Sequence, residues 1–434
     1  MPPGKIIRLK AHALFITVVL SLVIGIFCSM LLLLGYHRMR IDAVVGRDAR
    51  LRRDLRSAID MVLADSAIIL ASQEDTLDLY GEGRDTVIVG KSNWGLFSIA
   101  RVSAVRGGKS SARLFFFGQA ADTPLDGCLW LAEHQTPLSL VGYARLKGDA
   151  HIPKGGLRPA YIDQRGFAFP QLIIGNTNNS GDSLPPIDPR LLALLSPLAA
   201  YPPSAKVSSS PIDASPSPVE RSLVPDSLER SFADTAITVH RKDPILLSSC
   251  NLNGHIIIAS DSMIRVSPGA VLENVILSAP VIRLDSGWSG SLQAIASDSI
   301  IIQNNCHLKY PSALVLLKIR GLTTQPRIIL GDGCILDGVI LTHTSLQKDM
   351  EQTYVEIGKN SLLNGWVYAA GFVFLKGEVH GAVMADHFLF KSLPTVYVNY
   401  LVDAGIDRSA LSPWFTGPHI FNNDRQSRIV QWVR

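Results

Sequence analysis

The apolar positions follow three rhythms along the chain. Residues 13–34, "ALFITVVLSLVIGIFCSMLLLL", contain no charged side chain for 22 positions, which matches the roughly 20 residues a helix needs to cross a bilayer. A cleaved signal peptide has a shorter apolar core followed by small residues at its cleavage site. Residues 13–36 are therefore expected to form a retained transmembrane helix in contact with lipid, after a basic N-terminus at 1–12. From 37 to 74, Val44, Leu51, Leu55, Ile59 and Val62 recur near helical spacing between arginines. This predicts a juxtamembrane helix that continues the anchor or begins a second one.

The rhythm then shortens. "DTVIVGKSNWGLFSIARVSAVRGGKSSARLFFFGQ" has β-branched and aromatic runs broken by Gly and Asn, so 75–135 is expected to be a small β-rich or α+β unit. Residues 179–242 include a stretch dense in Pro and Ser, which removes the amides that a ladder would use. They read as an excursion or linker, with a short helix at 189–198. On both sides of it one element recurs: "LKGDAHI" from Leu146, "LNGHIII" from Leu252, "LDGVILT" from Leu336, "LNGWVYA" from Leu363 and "VHGAVMA" from Val379.

Short alternating strands separated by Gly, Asn or Asp, with no helices between them, predict a mainly β chain built on a parallel β-helix. Each glycine would mark a bend that needs freedom from a Cβ clash. Leu363, Val367 and Ala369 would point inward, and Asn364, Trp366 and Tyr368 outward. The first turns are placed at 136–178 and the main coil at 243–395, with an aromatic C-terminal cap at 396–434 acting as a lid over the last turn. A β-sandwich is the alternative, with Asn253–Gly254, Asp337–Gly338 and Asn364–Gly365 as hairpin turns.

Composition changes this picture little. A net charge of +4 on 434 residues, with 18% charged, gives no basic stripe interleaved with aromatics, so no nucleic-acid partner is expected. Cys128, Cys250, Cys306 and Cys334 fit no zinc or CxxC spacing, and the sequence leaves their pairing open. Positive charge is heavier after the anchor than before it, which favours a cytoplasmic C-terminal part. Long domains can cross despite such charge, and the Ser/Pro-rich, low-charge body favours the periplasmic side of an inner membrane.

The repeats at 328–390 resemble those of bactofilins, bacterial polymer-forming proteins built on a short parallel β-helix, which implies self-association. The N-terminal helix resembles the anchors of minor pilins and pseudopilins. Here Ala11 or Ala13 stands where those families have Gly, and no Glu precedes Glu74.

Aligned on glycine, His343, Ala370 and Asp386 fall on one outward step, with His387, His380 and Asp337 nearby. Acid–base chemistry needs a positioned pair, and outward polar residues are ordinary on a solvated coil. The chain also contains no P-loop, GxSxG, HExxH or EF-hand loop. No catalytic, cofactor-binding or metal residue is assigned, and no cofactor. The expectation is a single-pass envelope protein with a structural or assembly role, whose partners are lipid, other proteins or its own copies, and possible glycan. A pseudopilin-like subunit and a carbohydrate-acting β-helix enzyme are the alternatives.

Overall fold

Val239, Ile258, Leu277, Ala294, Leu314, Ile340, Val367 and Val383 sit on eight different strands, each directly opposite the next. All are buried. A parallel ladder repeats the same side-chain orientation at each step, so one inward position per coil becomes a continuous aliphatic column. Burying each such side chain contributes about 1.5–3 kcal/mol.

The computed structural model describes residues 11–64, 74–79, 85–106, 108–120, 127–199, 219–221, 224–318, 325–344, 352–422 and 427–433. Three ladders run in parallel. One joins Ile237–Arg241, Ile256–Ser260, Val275–Ser278 and Leu292–Ala296. A second joins Ile245–Leu247, Met263–Val266, Val281–Leu284 and Ser299–Ile302. A third joins Ser227–Arg230, Asn251–Gly254 and Val271–Glu273. Each coil thus contributes three strands and the fold is a parallel β-helix. Its coils are unequal: Ile237 meets Ile256, whereas Gly365 meets Gly381.

Gly338, Gly365 and Gly381 are paired in register. Gly365 and Gly381 have φ of +148° and +147°, and a Cβ on either would be driven into the carbonyl oxygen of the glycine one coil below. Only a residue without a side chain fits there.

The stacking order differs from the chain order. The turns expected at 136–178 do not precede the coil that begins after the excursion. They stack on the far end of the main coil: Val383 lies opposite Leu129, Gly405 opposite Arg145 and Tyr400 opposite Ser139. Strand β5 (Gly127–Leu131) then pairs with Asp149–Ile152, which pairs with Thr177–Asn179. The aliphatic column continues through Leu129 and Ala150, both buried. Parallel coils pair through backbone groups, so chain order does not dictate which coil stacks on which.

From there helix α2 (Pro189–Ala199) runs along the outside of the stack. The Tyr368 hydroxyl donates to the Pro185 carbonyl at 2.9 Å, and the Ser278 hydroxyl donates to Leu198 O. Among the described residues the coil resumes at Val219–Arg221, paired with Ile237–Arg241, earlier than the expected 243.

The N-terminal part forms two further layers. Helix α1 (Ala11–Ala64) is unbroken over 54 residues, and its residues 14–34 are apolar and exposed, long enough to cross a bilayer. Leu51, Leu55, Ala58 and Val62 form a buried stripe at helical spacing. They pack on Val87, Val89, Ala100, Val102, Phe115 and Phe117 of an antiparallel sheet. That sheet comprises β1 (Glu74–Leu77), β2 (Asp85–Trp94), β3 (Phe97–Arg106) and β4 (Lys109–Ala120).

The other face of the sheet, with Trp94, Phe97, Ile99 and Phe116, lies against outward residues of the coil such as Ile276, Ile295, Val315 and Val339. The C-terminal segment is not a lid over the last turn. Thr416–Gly417 and Ser427–Val433 pair antiparallel with β4. Phe415 and Phe421 cover Trp366 and Tyr368 on the flank, because a two-sided apolar wall needs a cover on its outer face too.

Candidate functional site

Where the 127–180 coils meet the main stack, β5 lies parallel to Glu378–Ser392, with Ala385 opposite Leu131. The Ala132 amide closes the pairing on Ala385 O at 3.1 Å. The residues that follow carry His134 after one strand and Asp386 and His387 along the other. The loop holding His134 is fixed by Glu133, whose carboxylate accepts the backbone amides of Gln135 and Lys154. Buried Asn399 seals the same seam. Its side chain accepts from Phe388 N at 3.2 Å and donates to Thr136 Oγ1 at 2.7 Å.

Asp386 sits between the two imidazoles. Its Oδ1 is 2.9 Å from His134 Nε2, and its Oδ2 is 2.9 Å from His387 Nδ1. The rings stack face to face, with centroids 4.1 Å apart and planes within 12°. Gln352 approaches from a neighbouring strand with Nε2 at 3.4 Å from Oδ2, while its Oε1 is buried without a partner. Burial alone would raise the Asp386 carboxyl, but the hydrogen bonds from His387 and His134 outweigh it and hold it below its ordinary value. Among the described residues this is the one group of His, Cys, Asp and Glu whose possible metal-binding atoms all lie within 4.8 Å of one another.

Thr342, Ala369 and Ala385 are paired, but the register shifts after Ala369, so the pairing does not extend to the expected alignment of His343, Ala370 and Asp386. The structure does not bring His343 and Asp386 together as a pair; Asp386 is engaged by His134 and His387. His343 is half-buried, and that burial lowers its pKa. His134 was missed because its neighbourhood depends on the stacking of 127–180 at the far end, for which the sequence carries no local signal.

Asp337 and His380 lie on the same strands as His343 and Asp386, on the other side of the bend at Gly338 and Gly381. Asn364 Nδ2 donates to Asp337 Oδ1 at 2.7 Å, and His380 Nδ1 lies 3.1 Å from Asn364 Oδ1. His307 Nε2 is 3.1 Å from Asp337 Oδ2. Asp337 and Asn364 open onto a groove of about 550 Å³, also lined by Tyr310, Leu411, Trp414 and Phe415, and Trp414 is 85% exposed. All five cysteines are free thiols, and only Cys28 is exposed. Burial pushes Cys128 up to about 12, so it is inert as a nucleophile.

No family model, curated protein or solved structure matches the chain.

Proposed function

We propose that the chain is a membrane-anchored scaffold of the bacterial cell envelope, holding a rigid β-helix at a fixed height above the inner membrane on its periplasmic side. The observation that carries this reading is the three-layer mount. The helix that is long and apolar enough to cross a bilayer continues unbroken into a sheet, and that sheet is glued across its other face to the coil. Between the apolar segment, which ends at Leu34, and the first buried residue, Leu51, about 16 helical residues would span roughly 24 Å at 1.5 Å per residue. A rigid mount of this kind suits a protein that positions partners relative to a membrane.

A topology reporter fused after Arg434 tests the reading. Activity of a periplasm-dependent reporter is expected, and activity of a cytoplasm-dependent one overturns the envelope assignment.

A second reading, glycan contact, is favoured by one feature. Trp414 offers an exposed aromatic face beside the hydrogen-bonding Asp337 and Asn364, the combination that suits a sugar ring's apolar face and hydroxyls. Titration of neutral oligosaccharides should perturb tryptophan fluorescence in the native chain and not in Trp414→Ala. An absence of any change in the native chain rejects it.

A further inference from the structure

The His134–Asp386–His387 cluster lies at the seam where the 127–180 coils stack against chain order, and His134 and Asp386 are 252 positions apart in sequence. We propose that these three side chains form a binding site for a divalent transition-metal ion, and that the ion clasps the 127–180 coils to the end of the main stack.

The donor set points to the class of ion. Two imidazoles and one carboxylate suit zinc, cobalt, nickel or ferrous iron, whereas calcium and magnesium take oxygen donors. The spacing agrees. Donors in adjacent positions around an ion with bonds of about 2.1 Å lie roughly 3.0 Å apart in an octahedral set and roughly 3.4 Å apart in a tetrahedral one, and each ring nitrogen is 2.9 Å from its carboxylate oxygen, at the octahedral end.

The surroundings are prepared for it as well. The unpartnered Gln352 Oε1 supplies an oxygen beside the same carboxylate. His134 is on the exposed rim, so an ion can enter from solvent and keep water in its remaining positions. An ion that binds only the assembled seam stabilises it by mass action.

Without an ion the same groups are held by the two His–Asp hydrogen bonds, the ring stack and the Gln352 contact, and the experiment separates the two cases. Full-length protein in detergent is stripped with a chelator, then titrated with Zn²⁺ while bound metal and melting temperature are followed. The expected result is one ion per chain, with a raised melting temperature. His134→Ala, Asp386→Asn and His387→Ala should each weaken binding by at least about a hundredfold, the upper end of what loss of an outer-sphere partner causes. His307→Ala removes a histidine from a separate His–Asp contact and should bind as the native chain does.

His134→Gln keeps a polar side chain on the rim and guards against loss of folding. It should fold with native circular dichroism and still lose zinc. Absence of zinc binding by the native chain, equal binding by all variants, or preference for Ca²⁺ or Mg²⁺ over Zn²⁺ overturns the proposal.

Discussion

Gly365 occupies a site where one methyl group decides stability, since its backbone is at φ +148° and the carbonyl of Gly338 fills the space a Cβ needs. Gly365→Ala should therefore destabilise the chain by about 2 kcal/mol or more. In helix α1, by contrast, Gly46 has nothing within 4 Å of the Cβ position, and Gly46→Ala should stabilise by up to about 1 kcal/mol. Chemical denaturation of the two variants checks both signs at once. Another residue-scale consequence involves His419, which is buried against the antiparallel sheet with Ser427 Oγ 3.2 Å from Nε2. Burial lowers its pKa to about 4, so the folded state holds it neutral while the unfolded chain takes up a proton below about 6.5. Stability is complete above that pH and falls as pH drops towards 4, by at most about 3 kcal/mol at roughly 1.4 kcal/mol per unit. Melting temperatures from pH 7 to 4 should fall less steeply in His419→Phe than in the native chain.

Among the elements, the turn joining β2 to β3 carries the connection between mount and coil. Leu96 N donates to Gln293 Oε1 at 2.7 Å, and Gln293 Nε2 donates to Trp94 O at 2.8 Å. Gln293→Ala leaves a buried donor and a buried acceptor unpaired, costing roughly 1–3 kcal/mol for each group so stranded. Hydrogen exchange should quicken in residues 94–97 while the coil's inner strands stay protected; uniform loss across both would mean that the sheet and coil unfold as one unit. Much at this scale was legible in the sequence. The inward set Leu363, Val367 and Ala369 and the outward set Asn364, Trp366 and Tyr368 follow from period-two alternation, and the structure places the first set in the coil interior and the last two aromatics in the outer apolar layer. The buried stripe from Leu51 to Val62 was legible for the same reason at period 3.6. What alternation could not supply was the cover on the outer wall, because an exposed and a covered outward aromatic read alike along a strand.

At the scale of the whole molecule, the unread feature is the order of the stack. Each coil presents nearly the same edge of amides and carbonyls, so nothing local tells Gly127–Leu131 to pair with Glu378–Ser392 and not with Ile237–Arg241. His134 shared that fate, which is why the cluster on Asp386 came only with the fold. The arrangement joins anchor, sheet and coil into one body, and that is the claim on which the scaffold reading depends. It is tested most directly by pulsed electron–electron resonance on the full chain in lipid nanodiscs, with Cys28→Ser and spin labels at Ile41→Cys and Leu246→Cys. Both positions are exposed, one on α1 and one on the coil, and the other four cysteines are buried. A rigid mount predicts a single narrow distance distribution. A broad or multiple distribution would mean that the coil swings freely on its helix, and would contradict the account.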